Sequence, residues 1–299
     1  MPAANGVSGR LLPKRWPEAR IFIMNLAETV ERHEWPARAV FGALLAASAL
    51  GSAVAGGYVF AGFVALMTGV AAREWHRMFG GARYALPIAA TASSIVLALA
   101  SAIALPGTLW PVWILLIGAA TAALSASAYG SPAVWNGFGT VYLGLPALAL
   151  VLLRSGLARG LAAVFVVFVA IWAADTGALL GGRLLRGPKL IPSLSPNKTW
   201  AGFVAGSLAA ALGVGIYIGL VGGRPVEGAL VGLGLGLTGH AGDLFESWLK
   251  RRVGRKNSGG LIPGHGGVLD RIDSILFAAP LAAFGVFVLG VDPLCGGHP

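Results

Sequence analysis

Acidic side chains are scarce in this chain, and several of them stand where a charge is costly. The 299-residue sequence contains twelve aspartates and glutamates. An ionisable group at membrane depth costs at least a few kcal/mol and normally faces a polar interior. We therefore interpret the acidic residues of apolar segments as functional, with helix-end ion pairs as the structural alternative, above all for Glu246. This set comprises Asp175, Asp243, Glu246, Asp270 and Asp273.

Four of these carboxylates repeat one spacing on two consecutive segments. Side chains at i, i+3 and i+4 share a face of a helix, so each segment is predicted to present a carboxylate face. Because one loop joins the two segments, the faces can meet across a gap and hold a divalent cation. Carboxylate oxygens suit Mg²⁺, which commonly takes one or two carboxylates together with substrate phosphates. The two triplets are Asp243, Glu246 and Ser247, and Asp270, Asp273 and Ser274.

The joining loop, residues 250–267, combines cationic side chains with a glycine-rich backbone. It contains Lys250, Arg251 and Lys256, and glycine makes up about a third of it. Glycines let backbone N–H groups approach phosphate closely, while lysine and arginine supply positive charge. The loop is therefore predicted to bind a polyphosphate. For Arg251 alone, the interpretation as a generic basic surface loop is favoured.

A second polar group links Asp175, at the end of the sixth apolar segment, to residues 193–200. The hydroxyl groups and Lys198 of this stretch are typical of phosphate or nucleotide contacts. Ser-Pro and Asn-Lys-Thr are equally typical of a turn and a helix start, with Trp200 as an interfacial anchor. The residues by themselves favour neither interpretation.

Such residues need a scaffold, and the composition indicates a membrane-embedded helical one. Hydrophobic residues make up 56% of the chain and charged residues 11%, whereas soluble domains carry roughly a quarter charged residues. We predict an all-α polytopic membrane protein, a bundle of about nine transmembrane helices with the active site at the cytoplasmic face. The helices are expected at 36–56, 57–73, 84–105, 110–128, 132–153, 160–182, 201–222, 225–249 and 268–290.

The chain ends are expected to lie outside this bundle, which is predicted to occupy residues 36–290 as one domain. Residues 1–35 form a polar segment, expected to be cytoplasmic, and contain no long apolar run next to a small-residue cleavage site, so a cleaved signal peptide is not expected. Residues 291–299 are predicted to be a tail. The single cysteine, Cys295, lies in this tail and is assigned no role.

The net charge of +10 is distributed among short loops, without a basic helix or an aromatic-interleaved patch. This pattern excludes a nucleic-acid partner and favours anionic lipids and a polyphosphate. The loops after the second, sixth and eighth segments carry half of the lysines and arginines, so these loops are predicted to be cytoplasmic and the protein is expected in the inner membrane of a cell. Arg154, Arg159 and Arg224 contradict this topology, because they fall in loops that it places on the opposite side of the membrane.

Several of these residues together resemble the signature of a known family, the membrane-bound phosphatidate cytidylyltransferases, or CDP-diacylglycerol synthases. The resemblance covers residues 36–290 and departs at Asn257, where the family has an aspartate. The signature comprises Ser247-Trp248-Leu249-Lys250-Arg251, Lys256, Pro263-Gly264-His265-Gly266-Gly267 and Asp270-Arg271-Ile272-Asp273.

The resemblance implies attack of the phosphate of phosphatidic acid on the α-phosphorus of CTP, which releases pyrophosphate and forms CDP-diacylglycerol. It implies one or two Mg²⁺ ions held by Asp243, Asp270 and Asp273. The remaining catalytic residues implied are Lys250, Lys256, Arg271 and His265. The implied substrate-binding residues are Ser195, Asn197, Lys198, Thr199, Asp175, Arg251, Gly266 and Gly267.

Two alternatives stay open. The same nucleotide and metal sites would serve a CTP-dependent enzyme that activates another lipid phosphate, such as an isoprenoid-ether lipid. A transporter would also place carboxylates in membrane helices, but near the midplane on broken helices. The carboxylates here are predicted to cluster with a basic loop at one face, which favours an enzyme. CTP, phosphatidic acid and membrane lipids are the expected partners, with a homodimer as a further expectation.

Overall fold

The structure, a computed structural model, describes residues 40–79, 84–259 and 266–292. The polar segment 1–35, His265, Cys295 and most of the expected tail lie outside the described residues. The described part contains nine helices and one β-hairpin. They are α1 (Val40–Ala55), α2 (Gly57–Phe79), α3 (Ala85–Ala104), α4 (Trp110–Ala128), α5 (Ala133–Ser155), α6 (Gly160–Leu184), β1 (Lys189–Ile191), β2 (Ser195–Thr199), α7 (Trp200–Leu220), α8 (Pro225–Arg252) and α9 (Leu269–Phe287).

The helices confirm the predicted all-helical architecture, because the same apolar runs form them. By length and composition, the five helices from α3 to α7 could each cross a membrane, and α1 is a shorter apolar helix. The end predicted for α2 was wrong. This helix continues to Phe79, six residues past the predicted boundary, because Glu74 and His76 are buried within protein rather than exposed to lipid.

The segment between α6 and α7 forms a hairpin, which the helical prediction did not include. Its strands are antiparallel, with Lys189 opposite Thr199 and Ile191 opposite Ser195. Three prolines between residues 188 and 196 exclude a helix here, because proline lacks the N–H that a helix interior needs. Thr199 then starts α7 as its N-cap, and its Oγ1 accepts a hydrogen bond from the Gly202 N–H at 3.1 Å.

Small residues allow the helices that carry the polar groups to pack closely. A β-carbon at Gly206 of α7 would lie 2.6 Å from the Ala174 carbonyl oxygen and 2.8 Å from His240 Nε2. Likewise, a β-carbon at Gly242 of α8 would lie 2.6 Å from the Asp273 carbonyl oxygen of α9. Any side chain at either position would therefore push the helices of the site apart.

The three basic loops converge at one end of the bundle. Arg255, in the loop after α8, donates through Nη2 to the Arg77 carbonyl oxygen of α2 at 3.2 Å. Arg251 donates through Nε to the carbonyl oxygen of Leu194, in the hairpin after α6, at 3.3 Å. The ends of α2, α6 and α8 therefore lie together, as their predicted location on one side of the membrane requires.

At the other end of the bundle, the contacts of Arg154 explain why a basic residue lies outside the three basic loops. Its Nε donates to the Ala53 carbonyl oxygen at 2.6 Å, and its Nη2 donates to the Val54 carbonyl oxygen at 3.1 Å. The last carbonyls of a helix have no intrahelical partners. Arg154 therefore caps the end of α1, and its location follows from this contact rather than from a preference for the cytoplasm.

Candidate active site

A polar cavity of about 490 Å³ opens between α6, the hairpin, α7 and α8. Its lining combines two carboxylates, a lysine and the start of a helix. Asp175 comes from α6, Lys198 and Thr199 from β2, and His240 and Asp243 from α8. The predicted second group of polar residues therefore lies beside the carboxylate face of α8, in one cavity.

Lys198 is the cation between the acidic groups of this cavity. Its Nζ forms an ion pair with Asp243 Oδ2. Asp175 interacts electrostatically with Asp243, with Lys198 and with Arg271 of α9. The two side chains of the ion pair keep 27% and 32% of their surface exposed, so an anionic ligand can reach Lys198.

The predicted carboxylate faces of α8 and α9 do meet, but the four acidic groups differ in their surroundings. Glu246 is fully buried, and neither of its carboxylate oxygens receives a hydrogen bond from a described residue. Lys250 Nζ lies 3.5 Å from Glu246 Oε1, and the carboxyl group of Asp273 lies against Glu246. Asp273 also interacts electrostatically with Asp243 and Asp175, which places it at the cavity's acidic side.

Asp270, in contrast, is held by the protein on both oxygens. Its Oδ1 accepts a hydrogen bond from Lys250 Nζ at 2.6 Å. Its Oδ2 accepts from the N–H of Ser258 at 3.1 Å, from the Ser258 hydroxyl at 2.9 Å and from the N–H of Gly267 at 2.8 Å. Asp270 therefore organises the two described ends of the α8–α9 loop, a role that its spacing along the sequence did not indicate.

One acidic residue of this region escaped the sequence analysis altogether. Glu74 of α2 is 3% exposed, and its carboxylate accepts hydrogen bonds from Ser258 Oγ and from the N–H groups of Val268 and Leu269. The early end predicted for α2 placed Glu74 outside the apolar segments. Apolar side chains at positions 75, 78 and 79 continue the helical spacing and could have extended the helix.

The donor set fits a hard cation, although no group of three or more His, Cys, Asp or Glu side chains among the described residues is arranged to hold a metal ion. Mg²⁺ needs only one or two carboxylates when phosphates and water complete its shell. Asp175 and Asp243 line the cavity, and Asp273 interacts with both. Asp270 would first have to exchange the protein donors on one of its oxygens.

A second cavity, apolar and about 240 Å³, lies between α1, α2, α5, α6 and α9. Phe168 and Trp172 of α6 line it, and they precede Asp175 by seven and three residues on the same helix face. Arg271, beside the carboxylates at the start of α9, also lines it. Residues on one face of α6 thus line both cavities, over about 10 Å along the helix axis.

Comparison with known proteins shows the family of this chain. A model of the cytidylyltransferase family matches residues 36–289. The chain belongs to the cytidylyltransferase family. The match covers every described helix and includes both cavities, so the predicted membership of this family is confirmed.

Similar proteins in other organisms are each named phosphatidate cytidylyltransferase. The relative from Brucella suis biovar 1 (strain 1330) is 42% identical over 178 residues, which are 58% of this chain and 64% of that protein. The relative from Brucella abortus biovar 1 (strain 9-941) is 41% identical over 192 residues, 63% of this chain and 70% of that protein. A Rickettsia typhi relative is 39% identical over 132 residues, 41% of this chain and 57% of that protein. The alignment with the Brucella suis protein therefore spans slightly less than two thirds of that relative.

The remaining predicted residues of this family member lie around the loop and the hairpin. Asn197 lines the polar cavity, whereas Ser195 is not among the described residues that line it. Lys256 and Asn257 are exposed residues of the loop. Gly266 has a positive φ of 82°, and a β-carbon there would lie 2.8 Å from Asp270 Oδ2 and 3.7 Å from Asn257 Cγ. The position that departs from the family pattern thus neighbours Asp270.

Proposed function

We propose that this chain transfers CMP from CTP to phosphatidic acid, forming CDP-diacylglycerol and pyrophosphate. The observation that supports this most strongly is that one face of α6 contributes to the lining of two cavities, and that Arg271 of the apolar cavity interacts electrostatically with Asp175 of the polar one. One cavity combines Lys198 with acidic side chains, and the other is apolar with Arg271 in its lining. A polar nucleotide and an amphipathic lipid phosphate together require one polar cavity and one apolar cavity. The names of the relatives, phosphatidate cytidylyltransferase, support the same substrates.

The nucleotide is assigned to the polar cavity. Lys198 and Thr199 would contact its phosphates, with Asn197 beside them, while Lys250, Arg251 and Lys256 with Gly266 and Gly267 would bind phosphate from the loop side. Asp243 and Asp273 would hold one Mg²⁺, supported by Asp175, and Asp270 is retained as a predicted ligand. When bound, this ion would neutralise phosphate charge that builds up as the bonds change.

The lipid is assigned to the apolar cavity. Acyl chains gain about 0.8 kcal/mol for each methylene group removed from water, and apolar helix faces can hold them at membrane depth. Arg271 would bind the lipid phosphate at the polar end of this cavity, since a guanidinium can donate two parallel hydrogen bonds to phosphate. The phosphate of the lipid would then face the α-phosphorus of a nucleotide in the adjoining cavity.

The chemistry needs charge neutralisation more than it needs a base. The second pKa of a phosphate monoester is about 6, so the attacking oxygen is already mostly ionised near neutral pH. That oxygen forms a bond to the α-phosphorus of CTP, while the bond from this phosphorus to the bridging oxygen of the β-phosphate breaks, and pyrophosphate leaves. Lys198, Lys250, Lys256 and Arg271 would hold the two anions together in line, and His265 is retained as a predicted donor to the pyrophosphate.

We further propose that all nine helices lie in the membrane and that the site faces the cytoplasm of the cell. The convergence of the basic loops at one end supports this orientation, because cytoplasmic loops carry the excess of lysine and arginine. The inner membrane and the homodimer remain predictions. A site at the cytoplasmic face would receive CTP from solution and phosphatidic acid from within the bilayer.

The test is direct synthesis by the purified protein. In the presence of Mg²⁺, full-length protein in liposomes should transfer the labelled CMP group of radiolabelled CTP to phosphatidic acid, which gives labelled CDP-lipid and releases pyrophosphate. Asp243→Asn should reduce the rate at least about 100-fold, because it removes a carboxylate charge from the site. Glu227→Gln is the matched control, since Glu227 lies at the opposite end of α8 in an exposed ion pair with Arg224.

Three outcomes would contradict the proposal in different ways. If no nucleotide enters lipid under any divalent cation, the chain is not a cytidylyltransferase acting on lipids, and a transporter becomes the leading alternative. If an isoprenoid-ether lipid phosphate is the much better substrate, the lipid assignment is wrong. If Asp243→Asn and Glu227→Gln are both fully active, Asp243 is an ion-pair partner of Lys198 only.

A further inference from the structure

Glu74 occupies a position that the proposed reaction does not explain by itself. It lies on α2, away from both cavity linings, and is 3% exposed. Burying a carboxylate is costly unless hydrogen bonds compensate it. In the structure these bonds come from the α8–α9 loop and from the start of α9, so Glu74 connects a scaffold helix to the segment that carries Asp270.

The hydrogen bonds of Glu74 hold this segment from two sides. Oε1 accepts from the N–H of Val268 at 3.1 Å, and Oε2 accepts from the N–H of Leu269 at 2.9 Å. The first N–H groups of a helix have no intrahelical acceptors, and a negative charge is favourable there. Glu74 therefore fixes the N-terminus of α9, one residue before Asp270.

Two glycines allow this approach. A β-carbon at Gly267 would collide with the Glu74 carboxylate and with Ser258 Oγ, and a β-carbon at Gly259 would collide with the same carboxylate. Both glycines lie in the loop that joins the carboxylate faces. The two described ends of the loop, at Gly259 and Gly267, thus pack directly against the Glu74 carboxylate.

Ser258 links Glu74 directly to Asp270. The Ser258 hydroxyl lies 3.1 Å from Glu74 Oε2 and 2.9 Å from Asp270 Oδ2. A hydroxyl has one hydrogen to donate, so the two carboxylates compete for it. When Glu74 receives this hydrogen bond, Asp270 Oδ2 keeps only the two backbone N–H donors and has more capacity to accept another group.

From this geometry we propose that Glu74 is a positioning residue for the transfer reaction. It acts through Ser258 and the N-terminus of α9 to set the place and the hydrogen bonding of Asp270, and with it the Lys250 ammonium that Asp270 binds. The inference rests on the proposed function for its kinetic consequence, but the positioning itself can be measured without turnover. A carboxylate is required, because an amide nitrogen at either oxygen position would face an N–H donor.

The experiment uses full-length purified protein in detergent, with Glu74→Gln, Ser258→Ala and the double variant. Thr91→Val is the matched control. Thr91 is a similarly buried residue of α3, and its hydroxyl lies 2.9 Å from Nε2 of His76, two residues along α2 from Glu74. Its side-chain hydrogen bonds among the described residues are with His76 and Thr140, outside the loop. Hydrogen–deuterium exchange at the amides of Val268 and Leu269 reports the positioning, and kcat and KM report its effect on the reaction.

Glu74→Gln should accelerate exchange at both amides at least about tenfold. It should lower kcat about 30-fold, which corresponds to roughly 2 kcal/mol of barrier, with KM for phosphatidic acid changed less than about threefold. Thr91→Val should leave both readouts near wild type even if it lowers the melting temperature. In the double variant, the kcat effects should be less than multiplicative, because Glu74 acts partly through Ser258.

The inference is overturned if Glu74→Gln leaves exchange at Val268 and Leu269 unchanged, or if kcat falls no further than in Thr91→Val. Fully multiplicative effects in the double variant would remove the role of Ser258. These results are distinguishable from a failure of the proposed function. If wild type forms no CDP-lipid but Glu74→Gln still accelerates exchange at the two amides, the positioning holds and only the reaction assignment is lost.

Discussion

The apolar cavity makes a quantitative prediction about substrate chain length. Ala46 of α1 lines this cavity, whereas its neighbour Ala47 is exposed on the outer side of the same helix. The cavity has about 240 Å³ of space, so a phenyl ring in place of the Ala46 methyl group would occupy a large part of it. Ala46→Phe is therefore expected to exclude the distal part of an acyl chain while leaving the polar cavity untouched.

The expected loss follows from the methylene groups that the ring displaces. Because the substrate comes from a micelle, where its chains are already out of water, the loss arises from overpacking. Forcing three methylene groups against the ring costs about 1–3 kcal/mol, or roughly 5- to 140-fold at 1.4 kcal/mol for each factor of ten. This loss should appear in kcat/KM for long-chain phosphatidic acid. For a short-chain phosphatidic acid, whose chains end before the ring, kcat/KM should fall less than about threefold. The KM for CTP should not change.

The assay measures CDP-lipid formation in mixed micelles at matched surface concentrations of long-chain and short-chain substrate. Ala47→Phe, which adds the same ring on the exposed side of α1, is the control and should behave as wild type with both substrates. Equal losses for both chain lengths in Ala46→Phe would refute the assignment of the acyl chain to this cavity. A chain-length effect of the same size in Ala47→Phe would attribute the result to general disturbance of α1.

Three further predictions concern the family departure, the cap of α1 and the orientation. Asn257→Asp should change the turnover rate less than about tenfold, or 1.4 kcal/mol of barrier, because the amide oxygen of Asn257 can already accept a hydrogen bond. A rise of about 100-fold or more with a lower Mg²⁺ requirement would place residue 257 in the metal's coordination sphere. Arg154→Met should lower the free energy of unfolding by about 1.5–3 kcal/mol, which would be measured as a lower melting temperature in detergent. The activity per folded molecule should be retained. An unchanged melting temperature would mean that the cap of α1 is not needed for stability. An impermeant thiol reagent should label Cys295 from outside intact cells, and protection there would mean that the number of membrane crossings is even.

The sequence by itself determined the helices and the family. Hydropathy is a local property that each segment carries wherever it packs, so the apolar runs predicted all nine described helices with small errors at their ends. The carboxylate triplets on α8 and α9 were also predictable, because i, i+3 and i+4 share a face in any helix. Where a charged residue interrupted an apolar run, as at Glu74, the local signal ended too early.

Only the tertiary structure decided which polar groups meet. Lys198 and Asp243 are 45 positions apart, and Glu74 and Leu269 are separated by 195, so no periodicity relates them. The partners of Asp270 were likewise hidden, since Ser258 and Gly267 lie at the described ends of a loop that packs against Glu74 of α2. Which oxygen accepts which hydrogen depends on the packing of whole helices against each other, and that packing is a property of the assembled bundle.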